Sequence, residues 1–496
     1  MPAIPIQSQE PASELLRLRE KFSYGFGNLA SCLYWQTFMV YLTIFYTDVF
    51  GIGAAAAGSM IGLSRSMDAF FDPVMGMLAD RTKTRWGKFR PFLLWFCVPM
   101  AVMGVLTFTV PSLGASGKLV WAYVTYNALM LLYTAINIPY IALLGVISPN
   151  PNERTALSAI QLMGAFAGGV IVSATLLPMS KVGGWLGART AERGWQMAFA
   201  LYGIAAVLFF LTTFFNTRER VSPPKAQQTS VLRDLGDLVT NGPWLILFAA
   251  TISFVLFGAI RSSVTAYYFK YYVGSQTLTL PAFLPKSAAG TQVWSWESLV
   301  SVFNTGNQIA SLVGVMMIPL FVRIIGRKTA VVALLIIAIA STASFYFFRS
   351  DQLLLIYGIN LLGAVTGGPL TALLWTMYAD TADYAEWKRG RRATGLIFSA
   401  SIFSQKQGWA IGAWAALALM QGMGFVANAA QTRSSLHGLV LLMSVVPASL
   451  GVLSTVIVLF YPLNEARMSQ IASDLRKRRA LEAGGNTVDV TPPLVA

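Results

Sequence analysis

The sequence predicts an all-α integral membrane protein with 12 transmembrane helices in two six-helix bundles, and three observations carry that prediction. The 496 residues are 55% hydrophobic and only 11% charged, against roughly a quarter charged in a soluble domain. Mostly apolar stretches of about 20 residues, enough to cross a bilayer core about 30 Å thick, recur along almost the whole chain. Of the 36 Lys and Arg, 25 fall on the side holding both termini and 8 on the other, which places both termini in the cytoplasm. The same composition excludes other classes. With one His, His437, and two Cys there is no zinc cluster, disulfide framework or Ser/His/Asp triad, and no enzyme is expected. The net charge of +15 reads as loops against an anionic lipid bilayer, with no nucleic acid as partner.

The elements follow in order. Span 1 (24–47) sits behind a polar leader, Gln7 to Lys21, that lacks a small-residue cleavage site, so it stays as a span after a cytoplasmic tail, 1–21. Span 2 (54–79) carries Gly58, Gly62, Arg65, Asp68, Asp72 and Pro73 and ends in a basic cluster, Arg81, Lys83, Arg85, Lys88 and Arg90. Spans 3 (91–111), 4 (119–147), 5 (157–179, with Gly164 and Gly168) and 6 (195–216) complete a first bundle over 22–216. Residues 217–242, with Pro223-Pro224 and Gln227-Gln228-Thr229-Ser230, read as a cytoplasmic linker. The second bundle, 243–461, holds spans 7 (244–272), 8 (298–322, with Gly306, Ala310 and Gly314) and 9 (329–348). It continues with spans 10 (352–379), 11 (394–424, with Gly408 and Gly412) and 12 (434–461), before a cytoplasmic tail, 462–496. Gly87-Lys88 after span 2 is echoed by Gly326-Arg327-Lys328 after span 8. Small residues at four-residue spacing let helix backbones approach in lipid, so spans 2, 5, 8 and 11 are expected to join the bundles, with the substrate site between them near the midplane. An outward insertion, 274–297, with Pro281, Pro285, Trp294 and Trp296, is placed to cap the entrance.

Ionisable residues inside a span cost at least about 2.5 kcal/mol each and are functional candidates by default. Arg65, Asp68 and Asp72 lie at i, i+3 and i+7, on one face of span 2. Two carboxylates four residues apart repel, so one holds a proton or a cation lies between them, unless the group is a structural Arg–Asp staple. Pro73 frees the carbonyl of Ala69 to help. Lys406, in the polar run Ser404-Gln405-Lys406-Gln407, and Arg261 on span 7 are candidates for the cavity, Arg261 suiting an anionic group on a substrate. Tyr34, Trp35, Trp375 and Trp409 are the aromatics placed to stack on sugar faces.

Several ordered motifs then resemble one family. They are Lys21-Phe-Ser-Tyr24-Gly25-Phe-Gly27, Tyr46-Thr-Asp48-Val, Arg65-x-x-Asp68-Ala-x-x-Asp72-Pro73 and the run from Asp80-Arg81 to Arg90-Pro91. Later ones are Tyr133-Thr-x-x-Asn137-Ile-Pro139, Tyr267-Tyr-Phe-Lys270-Tyr, Ala379-Asp380-x-x-Asp383-Tyr384, and Arg392-Ala-x-Gly395 through Gln405-Lys406. Over residues 21 to 465 the chain resembles the glycoside-pentoside-hexuronide:cation symporters of the melibiose permease type, on the side of the glucuronide and xyloside members.

The resemblance implies a major facilitator fold and symport of a glycoside, oligosaccharide or hexuronide with a coupling ion, H+ or Na+, across a bacterial inner membrane by a monomer. It makes Asp68 and Asp72 the cation-site acids, Arg65 their neighbouring arginine and Lys406 the span-11 lysine. Asp80, Arg81, Arg85, Arg90, Asp380, Asp383 and Arg392 fall in its cytoplasmic gate. A galactoside-gripping aspartate on span 1 reads Cys32 here, and its arginine partner on span 5 reads Gln161, so that mode of recognition does not carry over. A span-4 aspartate reads Asn137 and an asparagine beside Asp72 reads Phe71. The oxygens left for a cation, Asp68, Asp72 and Thr134, are few for sodium, which favours the proton and leaves sodium as the alternative. A sodium-dependent lysophospholipid-type carrier and a non-transporting sensor are the remaining rivals.

Overall fold

The structure, a computed structural model, describes residues 15–148, 150–220, 238–280, 290–389 and 394–482. Most of the linker, Pro281, Pro285 and Arg392 lie outside them. Twelve long helical segments run in order. They begin with α1 (Leu18–Val40), α2 (Ala54–Arg81), α3 (Arg90–Thr107), α4 (Ala115–Ile147), α5 (Pro151–Ser180) and α6 (Ala191–Asn216). They continue with α7 (Gly242–Tyr267), α8 (Trp296–Met316), α9 (Arg327–Ala343), α10 (Leu353–Arg389), α11 (Thr394–Gly422) and α12 (Arg433–Met443, resumed over Val445–Leu459). A helix satisfies its own backbone in lipid, and Pro73, Pro99, Pro139, Pro178 and Pro369 sit inside these helices, as membrane helices tolerate. Thr190, Asn241 and Thr432 cap α6, α7 and α12, each side chain accepting from a backbone N–H three residues on.

Nine helical segments among the described residues are long and apolar enough to cross a membrane. The three that fall short are α1, α2 and α11. The last two carry Arg65, Asp68 and Asp72, and Gln405, Lys406 and Gln407, and these polar residues lower their hydropathy. Side chains such as Val98, Val102, Ile336 and Leu354 stand exposed on the outside, the lipid-facing pattern, while the interior is rich in buried tyrosine.

The first six helices pack together, as do the last six, and the two groups meet mainly through α2 on α11 and α5 on α8. Of the small-residue stripes, only that of α2 faces across: a Cβ on Gly62 would lie 3.0 Å from Trp414 Cβ, and one on Gly58 3.0 Å from Leu417 Cβ. The stripes on α5, α8 and α11, expected at the same junction, instead face α1, α10 and α7 within their own groups. A four-residue spacing marks a close approach but not which neighbour is approached.

Both first helices of a group end in a π turn, α1 through Phe45–Val49 and α7 through Tyr268–Val273. Two elements have no counterpart in the apolar reading. The insertion forms an antiparallel hairpin, β1 (Gln276–Leu280) with β2 (Gly290–Trp294), register Gln276↔Trp294. Beyond α12, α13 (Glu465–Glu482) buries Met468, Ile471 and Leu475, and Trp387 Nε1 on α10 donates to its Asp474 Oδ2 at 2.9 Å.

Candidate functional site

A cavity of about 850 Å³ lies between the two groups of helices. On α1 its wall runs from Asn28 to Val40, so it extends from mid-helix toward the face bearing the termini. On the opposite face a latch closes it, built where the two π turns meet. Lys270 Nζ lies 2.5 Å from Asp48 Oδ2, and the Tyr271 hydroxyl donates to the same carboxylate. Asn428 Nδ2 donates to the Asp48 carbonyl at 2.6 Å while its Oδ1 accepts from Lys270 at 2.7 Å. Thr47 and Tyr267 share a 2.7 Å hydrogen bond, Thr43 donates to the Ser263 carbonyl at 3.1 Å, and Asn304 Nδ2 donates to the Tyr41 hydroxyl at 3.0 Å. Ion pairs on the terminus-bearing face include Lys21–Glu153 at 2.8 Å, Arg220–Glu20 at 2.7 Å and Arg327–Asp380 at 2.9 Å, each within one group of six.

At mid-membrane the one-face spacing of α2 places its carboxylates against α11. Lys406 Nζ lies 2.8 Å from Asp68 Oδ2 and 2.6 Å from Asp72 Oδ2, bridging the two groups. Thr134 on α4 donates to Asp68 Oδ1 at 2.5 Å. Asp72 Oδ1 is enclosed without a hydrogen-bond partner. Two carboxylates are thus served by one ammonium and one hydroxyl, with an acceptor to spare. The position between the two acids is taken by the Lys406 ammonium. Among the described residues no group of three or more His, Cys, Asp or Glu is arranged for a metal ion.

Of the residues expected to meet substrate, Cys32, Trp35, Arg261, Trp375, Lys406 and Trp409 line the cavity, and so does Asn137. Three do not. Tyr34 is fully buried and packs edge-on against Phe38 and Phe199, inside the first six helices, about 100° round α1 from its neighbour Trp35. Arg65 is buried and spends its guanidinium as a staple, donating to the Tyr126 hydroxyl and the Trp409 carbonyl, each at 3.3 Å, and to the Phe38 carbonyl. Gln161 lies off the cavity, its backbone carbonyl accepting from Asn28 Nδ2 at 2.8 Å.

In the expected gate, Arg81 and Arg85 are exposed, the latter over the Trp86 ring at 4.4 Å. Arg90 donates to the Phe214 carbonyl at 2.5 Å, Asp380 pairs with Arg327, and Asp383 is half-buried. The side chain of Asp80 lies outside the described residues, as does Arg392. The basic loop is anchored by a residue that sequence reasoning passed over, Glu219, which accepts from the backbone N–H groups of Lys88, Phe89 and Arg90 at 2.8, 2.9 and 3.0 Å. Glu465 repeats this at α9, accepting from Arg327 N at 2.9 Å. The glycine echo marked the two loops, and a glutamate a few residues past the last helix of each group was the available signal. The latch was also passed over, although Asp48 and Lys270 stood in the motifs at the ends of the two first helices.

Two six-helix groups around a central cavity, closed on one face and spanned by an intramembrane ion bridge, define a membrane transporter and not an enzyme. The sequence belongs to the MFS/sugar transport protein family, whose model matches residues 23–285 and 289–465. It is 34% identical to the isoprimeverose transporter of Lactiplantibacillus pentosus, over 93% of this chain and 92% of that one. It is likewise 34% identical to the putative glycoside/cation symporter YagG of Escherichia coli (strain K12), over 94% and 96%. Among solved structures, a bacterial homologue of the human drug peptide transporters PepT1 and PepT2 matches 92% of this chain and 99% of its own with a TM-score of 0.63; at 12% identity that likeness speaks to the fold alone.

Proposed function

We propose that the protein is a proton-coupled importer of glycosides, working as a monomer in a bacterial inner membrane with both termini in the cytoplasm, and that the structure corresponds to its inward-open state. The observation that carries this reading is Lys406, which lines the cavity, held between Asp68 and Asp72 across the contact of α2 with α11. When both acids are ionised, the ammonium bridges the two groups of helices. A proton on either carboxylate weakens one of the two contacts and changes the charge of the cluster by one unit, so proton binding and the packing of α2 on α11 are linked. Lys406 standing between the two acids, and the short supply of oxygens around it, favour the proton. Trp35, Trp375 and Trp409 offer ring faces, and Asn28, Gln36 and Asn137 offer amides, a lining that suits hydroxyl-rich rings better than an acyl chain. The excess of Lys and Arg in the loops of the terminus-bearing face supports its cytoplasmic placement.

The test is external pH on adding glycosides to de-energised cells, with and without sodium. Sodium-independent alkalinisation that disappears in Asp72→Asn, along with concentrative uptake, is the expected result. An Asp72→Asn carrier that still accumulates sugar against its gradient would refute the coupling assignment.

A further inference from the structure

Five charged side chains lie within the membrane-spanning helices at or beside the cavity among the described residues. Four of them, Arg65, Asp68, Asp72 and Lys406, sum to zero when ionised. Among the described residues, the fifth, Arg261 on α7, has no carboxylate within ion-pair distance, and no Asp or Glu lines the cavity. Its contacts are to neutral groups. Nη2 donates to Asn360 Oδ1 on α10 at 3.0 Å, and the guanidinium lies over the Phe345 ring at 4.8 Å. Nε is enclosed without an acceptor, and so is Asn360 Nδ2 beside it. A guanidinium keeps its charge at any physiological pH, so this site cannot be relieved by losing a proton. An arginine and an amide facing a ligand cavity with donors to spare are short of one thing, an oxyanion.

The geometry points to Arg261 and Asn360 as an oxyanion subsite, and we propose that the glycoside carried bears one carboxylate or sulfonate group. The inference rests on the sugar-symport reading and deepens it. Lys406 is already engaged by Asp68 and Asp72, so the unspent positive charge of the cavity is that of Arg261. The same cavity is lined by the amides of Asn304 and Asn307 and by Trp35 and Trp409, which are available to the rest of the sugar. The charge balance changes with it: one proton and one singly charged anion cross together as a neutral pair, so uptake of the acidic sugar does not respond to membrane potential, whereas a neutral glycoside carried with one proton moves one positive charge.

The experiment uses the full chain in proteoliposomes with three probes that differ only at C6: methyl β-D-glucoside, methyl β-D-glucuronide and the corresponding 6-sulfonate. Initial uptake is measured at zero and at imposed potential under a constant pH gradient. The expected result is a preference for one of the acidic probes over the glucoside on the order of 10- to 100-fold, the range of a charge-assisted hydrogen-bond pair, with acidic uptake insensitive to potential. Arg261→Gln should reduce the acidic-to-neutral ratio at least tenfold. Arg261→Lys, which keeps the charge without the planar fork, should fall between. Equal uptake of acidic and neutral probes by the wild type overturns the subsite while leaving sugar symport standing. Equal loss of both probes in Arg261→Gln makes Arg261 a structural staple and overturns it too. A wild type that moves none of the three overturns the sugar reading and the subsite with it.

Discussion

On the inward-open reading proposed above, replacing Asp48 by Asn should shift the protein toward its outward-open state. The Asp48 side chain is 2% exposed and that of Lys270 is 21% exposed, so the pair is neither a surface salt bridge nor fully dry. Breaking a fully buried pair costs about 3–5 kcal/mol and an exposed one about 0–1 kcal/mol. The amide retains size and can still accept from Tyr271 or Thr47, which leaves the loss of the charge-assisted part, about 1.5–3 kcal/mol. That converts to an outward-open population larger by about 10- to 100-fold. The sequence supplies the reporter, because its two cysteines are Cys32, which lines the cavity, and Cys97, which is buried in α3. In a Cys97→Ala background, a membrane-impermeant maleimide should label Cys32 from the terminus-bearing face in the wild type. In Asp48→Asn the rate of labelling from the opposite face should rise by that factor. Unchanged labelling from both faces in a folded Asp48→Asn protein would show that the latch does not hold the closed face, and the reasoning would fail at that step.

Two further outcomes follow from the packing and the loops. Gly62→Leu inserts a side chain where a bare Cβ already meets Trp414 Cβ at 3.0 Å and the Ala410 carbonyl at 3.3 Å. Overpacking of that kind costs about 1–3 kcal/mol; by wedging α2 from α11 beside the latch it should cut glycoside uptake at least tenfold, with expression and sugar binding in detergent checking that the fold survives. Glu219→Ala removes the acceptor of three backbone N–H groups at the start of α3 and should destabilise by about 1–2 kcal/mol. Glu465→Ala, at an exposed residue with one such bond, should cost less, and thermal unfolding of the two purified variants ranks them.

The helices were legible where apolar length was the signal and illegible where it was absent. Ten more residues of α10, Asp380 to Arg389, lie past the expected end of span 10 at 379, because Asp380, Asp383, Glu386, Lys388 and Arg389 interrupt the apolar run without interrupting the helix. The helix α13 was hidden for the same reason, although Met468, Ile471 and Leu475 keep the i, i+3, i+7 spacing of a one-sided amphipathic helix. The hairpin alternates polar and apolar at Thr277, Leu278 and Thr279, too briefly to stand out beside two prolines. Within the site, periodicity put Asp68 and Asp72 on one face, and a lysine in a polar patch of span 11 was a natural partner. Periodicity could not say which face of α1 meets the cavity, because that helix is apolar nearly all round. Tyr34 and Trp35 therefore looked equivalent, and the structure puts the cavity on the Trp35 side, a little over a quarter of a turn from Tyr34.

The latch and the Lys406 bridge constrain each other. Both join the same two groups of helices, one at the closed face and one at mid-membrane, and both lie between elements that must part for the opposite face to open. Opening therefore has to break Asp48–Lys270, and Lys406 has to yield at least one of its two carboxylates as α2 moves from α11. On the proton-coupled reading proposed above, a proton arriving at Asp72 would lower the second cost and leave the first unchanged. The latch thus sets a barrier independent of the coupling ion, and Asp48→Asn should speed the return of the carrier with or without a proton gradient, whereas Asp72→Asn should abolish the dependence on the gradient. If the two variants instead have the same effect on exchange and on net uptake, latch and bridge act as one unit, and the division of labour between closing the gate and sensing the proton is wrong.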